Sequence, residues 1–182
     1  MQIGIDFYLW IVAIIILFVA MVFFLRKRME TDVTSQRNLF LGIALFFGLY
    51  GVALILFKIE DYGLPPPDDS FMHDLFWRLA ATSSLIGFIF FIAVLELYAL
   101  NKKTKFLATL AGIVTLVLSI IGGPEIGRQA LIYGTPVMGL LVLFFYLYLS
   151  IVGRGNIRKK ALQGFFGIFL LFLGIVMDNI TV

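Results

Sequence analysis

Six stretches of this chain are apolar over about the length that a lipid bilayer demands. They cover residues 5–25, 39–57, 75–100, 106–122, 136–152 and 161–177. The hydrocarbon core is about 30 Å thick, and a helix rises 1.5 Å per residue, so a span takes about 20 apolar residues. Six spans use roughly 120 residues, and the rest of the 182-residue chain suffices only for loops and ends. The expected fold is therefore an all-α membrane protein. It is a bundle of six transmembrane helices with short loops, forming a single polytopic domain over 1–182.

Composition agrees. The chain is 62% apolar and 14% charged, against about 25% charged in soluble domains, and its mean hydropathy is +1.05. With no cysteine and one histidine, disulfides, thiolate metal centres and multi-histidine sites within one chain are excluded. No nucleophile elbow, zinc-protease helix or phosphate-binding glycine loop occurs. The sequence thus implies no cofactor, no metal and no enzyme.

Loop residues mark the helix ends. Pro65-Pro66-Pro67 forbids helix between the second and third runs and favours extended chain. Gly122-Gly123-Pro124 should stop the fourth run, and Thr135-Pro136 reads as an N-cap followed by proline at the first helical position of the fifth. The first run has no basic residue ahead of it and no small-residue cleavage site after it, so it reads as a span rather than a cleaved signal.

Orientation follows from the basic residues. With the N-terminus outside, the inner loops hold Arg26, Lys27, Arg28, Arg37, Lys102, Lys103, Lys105, Arg154, Arg158, Lys159 and Lys160. Only Lys58, Arg78 and Arg128 fall on the outer side. The asymmetry places both termini outside in the cell membrane. It also explains the pI of about 9.2 through anionic inner-leaflet lipid, with no nucleic acid as partner.

Ionisable residues inside spans are the natural candidates for function. The third run carries Arg78 near its outer end and Glu96 near its inner end. They are 18 residues apart, five helical turns, so both point the same way about 27 Å apart along the axis. Thr82 shares their side. Arg78 can pair with Asp74 four residues earlier. Glu96 is either an interfacial carboxylate or a buried proton or cation site, with Thr109, Ser150 or Gln163 as partners at its depth. Glu125 and Arg128, three apart after Pro124, suggest a local pair in an outer connection, with a minor ligand role. His73 reads as a solvated histidine in an acidic outer loop over 59–74, whose Phe71 or Met72 turns inward to cap the bundle mouth.

Stripes of small residues recur: Ala44, Gly48 and Gly51; Ala108, Gly112, Thr115, Ser119 and Gly122; Gly164, Gly167, Gly174 and Asp178. In lipid, where packing drives association, such faces let helices approach closely. By size alone, six spans in this length resemble the substrate-binding components of vitamin-uptake transporters, which carry an Ala-x-x-x-Ala patch on the first span. Here Ala13 and Ala20 stand seven apart, and no family is assigned. Size and short loops are also similar to the membrane sensing modules that precede cytoplasmic signalling domains.

The expected function is a non-catalytic multi-pass module, sensor-like or accessory. It would bind a lipid, a small apolar ligand or a partner membrane subunit, which includes a second copy of itself. The alternative is a small secondary transporter or channel using Glu96 as its proton or cation coupling group. The topology makes a direct prediction. Single cysteines at Gln2 and Val182 should label with an impermeant maleimide in intact cells, and one at Gln36 should not. Labelling at Gln36 from outside would reverse the orientation.

Overall fold

The computed structural model describes residues 5–64, 71–99, 106–155, 158–159, 161–167 and 169–170. Among these, helix is the only regular structure. α1 runs Ile5–Met29, α2 Thr34–Gly63, α3 Phe71–Val94, α4 Leu107–Ile121 and α5 Gly123–Val152. One turn of π-helix, Leu95–Ala99, continues α3. Among the described residues four helical stretches are long and apolar enough to cross a membrane: Phe7–Met29, Thr34–Gly63, Phe71–Tyr98 and Glu125–Val152. They carry the first, second, third and fifth apolar runs. The fourth run is α4, whose 15 residues give about 22 Å. The sixth run is described only at its start, where 161–167 is helical.

The chain forms two compact units, Met1–Leu131 and Ile132–Val182. In the first, α1 to α4 run up and down in turn. Antiparallel order is read from the contacts: Met21 and Phe18 of α1 meet Gly48 and Gly51 of α2, and Phe46 of α2 meets Gly87 of α3. Ser83 Oγ of α3 donates to the Leu49 carbonyl of α2 at 2.9 Å, and Asn38 of α2 bonds the Tyr98 hydroxyl at the far end of α3. The bundle therefore has a basic end, with Arg26, Lys27 and Arg28, and an opposite end holding Lys58, Asp61, Asp74 and Arg78. In the second unit, Gly164 lies under the ring of Tyr146.

Small residues set the helix spacing. Ala44, Gly48 and Gly51 are all buried on α2. The buried residues of α4 are Ala108, Gly112, Thr115 and Ser119, four of the five in the stripe read from the sequence; Gly122 is the half-buried C-cap, while Leu110, Ile113, Val114 and Val117 on the other side are exposed. In the last run an added Cβ at Gly167 would meet no atom of the described residues within 4 Å, and Gly174 and Asp178 lie outside the described residues. All described α1 side chains are at least partly exposed, as an apolar helix at the edge of a bundle would be in lipid.

Several boundaries differ from expectation. The segment 59–74 is not all loop: α2 continues to Gly63 and α3 begins at Phe71. α2 stops where proline begins, because the residue before a proline is pushed out of the helical region, and Leu64 has φ −100° and ψ 140°. The three prolines themselves lie outside the described residues. With α3 starting early, His73 is buried in its first turn rather than solvated, while Phe71 and Met72 face outward. Thr135-Pro136 does not start the fifth helix, since Pro136 lies inside α5. The helix starts instead at Gly123, with Pro124 in the first turn, where its missing N–H has no partner to lose. At Pro136 the lost bond is a cost that helices within a membrane protein tolerate.

The spacing at Gly87 is testable. An added Cβ there would lie 3.0 Å from Leu49 Cβ and 3.2 Å from Phe46 Cα, so Gly87→Val should lower stability in detergent by about 1–3 kcal/mol. Gly167→Ala meets no atom of the described residues within 4 Å and should be neutral or stabilising by up to about 1 kcal/mol. Equal thermal shifts for the two variants would contradict this packing.

Candidate functional site

Glu96 joins the end of α3 to the start of α4. It is the second residue of the π-helical turn Leu95–Ala99. Its side chain is 2% exposed, and its carboxylate meets the first turn of α4. Oε1 accepts from the Ala108 N–H at 3.1 Å. Oε2 accepts from the Thr109 N–H at 3.0 Å and from the Thr109 hydroxyl. Of the three polar partners expected at this depth, the structure uses Thr109. Ser150 donates to its own helix at Leu147, and Gln163 is exposed.

The local sequence shows why α4 needs this contact. A helix begins with N–H groups that have no acceptor within the helix, and Ser, Thr, Asp or Asn at the N-cap usually supplies one. Here the N-cap is Phe106, which has no side-chain acceptor. It also sits in the left-handed region at φ 60°, where a non-glycine residue costs about 1–2 kcal/mol. The cap comes from α3 instead. A carboxylate at this end also meets the positive pole of the helix dipole, worth about 0.3–1 kcal/mol and more where partly buried.

The opposite end of α4 is held by Arg78. Its Nε donates to Asp74 Oδ2 at 2.8 Å, the i,i+4 pair expected from the sequence. Its Nη1 donates to the Ile120 carbonyl at 3.2 Å, one of the last carbonyls of α4, which lack partners within the helix. The shared face of Arg78 and Glu96 is therefore the face on which α4 lies, with a cation at its negative pole and a carboxylate at its positive pole. Thr82, between them and half-buried, takes part in neither contact.

Glu125 and Arg128 are not in a loop. Both lie on the first turns of α5 and are exposed. They form no ion pair with each other among the described residues; the Arg128 guanidinium lies over the Trp77 ring, 5.4 Å from its centre. Gly127 brings this part of α5 against the Ser119 carbonyl of α4.

Lys58 anchors a further cluster that motif reading does not reveal. Its Nζ lies 4.5 Å from the centre of the Trp10 ring and 5.2 Å from that of Tyr62, and it pairs with Asp61. Phe7 packs edge-on against Tyr62. The signal in the sequence is that Lys58, Arg78 and Arg128 are the three exceptions to the basic asymmetry, and each is engaged by an aromatic ring or a carboxylate. At the basic end Glu30 is held below the ordinary carboxylate range, first by the hydrogen bond from Lys27 and then by that from Arg26.

Among the described residues no three His, Asp or Glu side chains converge so as to hold a metal ion. Comparison of the chain with protein-family models, curated proteins and solved structures gives no match.

Capping by Glu96 predicts a coupled loss. Glu96→Ala leaves the Ala108 and Thr109 N–H groups without their acceptor and should cost about 2–4 kcal/mol of unfolding free energy. In a double-mutant cycle, Glu96→Gln and Thr109→Val should show a coupling of about 0.5–3 kcal/mol. Additive effects of the two substitutions would contradict the contact.

Proposed function

We propose that this chain is a six-span protein of the cell membrane with both termini on the outer side. It acts as a non-catalytic module, sensor-like or accessory, that binds a lipid, a small apolar ligand or a partner membrane subunit. The observation that carries the reading is the use of Glu96. A coupling carboxylate must exchange its proton or ion with a path through the protein, and here both oxygens accept from the first turn of a neighbouring helix. Arg78 is likewise engaged by Asp74 and a helix carbonyl. The exposed apolar sides of α1 and α4 suit contact with lipid or with another membrane subunit, a second copy included, and nothing in the charge distribution calls for nucleic acid.

A second reading draws on one feature. π-helical turns occur often at functional sites, and the one at Leu95–Ala99 contains Glu96. This favours a small transporter or channel in which Glu96 couples to a proton or cation. Flux separates the two. Proteoliposomes holding the full chain, tested under a potassium diffusion potential with a pH-sensitive dye inside, should show no proton flux above empty vesicles. A wild-type flux that disappears in a folded Glu96→Gln protein would replace the first reading with the second.

A further inference from the structure

The cleft between α1 and α2 at the Lys58 end has a volume of about 350 Å³, at the lower end of the roughly 300–1,000 Å³ typical of small-molecule sites. Its two ends differ in chemistry. At one end lie Lys58, Trp10 and Tyr62, with Ile11 beside Trp10; one turn further along the two helices the walls are Ile14 and Ile55. An amphiphile has this polarity, with a charged head at the level of the aromatic rings and a chain along the isoleucines. The cleft lies between helices whose outward faces are exposed, so such a molecule can enter sideways from the bilayer.

Lys58 supplies the charge complementarity. Its side chain is 18% exposed, and its ammonium lies over two aromatic rings. Those faces attract the cation without using its N–H donors. A lysine has three donors, and among the described residues Asp61 is its one hydrogen-bond acceptor. Asp61 is 50% exposed, so solvent screens its hold on the ammonium. A second, more strongly charged acceptor can therefore share the ammonium. Aromatic rings and a basic residue at one level are also the features that anchor proteins at the headgroup region.

We propose that this cleft is a phospholipid site, with the lipid phosphate on Lys58 Nζ and one acyl chain along Ile11, Ile14 and Ile55. The proposal rests on the membrane-module reading above and names its ligand. On the topology proposed there, the lipid belongs to the outer leaflet.

Trp10 reports on the site directly. The chain has two tryptophans, so Trp77→Phe in the full-length, detergent-solubilised protein leaves Trp10 as the single emitter. Titration with a phospholipid brominated at mid-chain should quench Trp10 saturably. Lys58→Met should raise the half-saturating concentration at least tenfold, and Lys58→Arg should restore it to within about threefold. Brominated diacylglycerol, which lacks the phosphate, should bind as weakly as the lipid does to Lys58→Met. Should Lys58→Met not fold, Ile55→Phe, which fills the groove and leaves the charge, should itself raise half-saturation at least tenfold. Quenching that never saturates, or that is equal for phospholipid and diacylglycerol, or that is unchanged by Lys58→Met and Ile55→Phe, overturns the site. Competition by millimolar inorganic phosphate would assign Lys58 to a soluble anion and also overturns it. A failure here in a protein silent in the flux assay removes this site alone, whereas Glu96-dependent flux removes the reading beneath it.

Discussion

A helix cannot satisfy its own ends, and α4 meets that constraint with charges placed on another helix. Its first N–H groups bond the Glu96 carboxylate and one of its last carbonyls accepts from the Arg78 guanidinium. Inside a membrane an unsatisfied backbone group costs several kcal/mol, so these contacts fix more than local geometry. They set the direction of α4, antiparallel to α3, because reversing it would put each charge at the wrong pole of the helix dipole. They also set its length. Arg78 and Glu96 are separated along α3 by about 27 Å, and α4 extends about 22 Å. Side-chain reach covers the difference.

The second constraint is distance between helix axes. Gly48 and Gly51 admit Met21 and Phe18 from α1, and Gly87 admits the Phe46 backbone of α2. Without side chains at these positions the large apolar residues of neighbouring helices fill the gap, and dispersion contact replaces the hydrophobic drive that lipid does not supply. The interhelical hydrogen bond from Ser83 to the Leu49 carbonyl lies in the same seam. Polar groups and small residues thus serve the packing of the bundle.

Much of this was legible in the sequence. Apolar run length located α1 to α4, and the 18-residue spacing of Arg78 and Glu96 put them on one face. The stripe Ala108, Gly112, Thr115 and Ser119 marked the buried side of α4. What escaped had identifiable causes. Hydropathy cannot see a helix that continues through polar residues, so the ends of α2 and α3 were set short and His73 was placed in solvent. Proline has a similar backbone angle at a helix start and within a helix, so Pro136 read as a start. Thr109 was legible as a partner of Glu96, but its role as a helix cap was not, because no spacing rule joins a carboxylate to backbone amides 12 and 13 residues later. Lys58 and Trp10 are on different helices, and no spacing rule joins them.

Hydrogen exchange at the start of α4 tests the central claim most directly. In the wild-type protein in detergent, the Ala108 and Thr109 amides should be protected by their bonds to Glu96. In Glu96→Gln they should exchange faster by about 5- to 150-fold, as expected for a loss of about 1–3 kcal/mol, while amides in the α1–α2 seam keep their wild-type rates. Unchanged exchange at Ala108 and Thr109 would show that α4 does not depend on Glu96, and the account of the bundle built on that contact would fail.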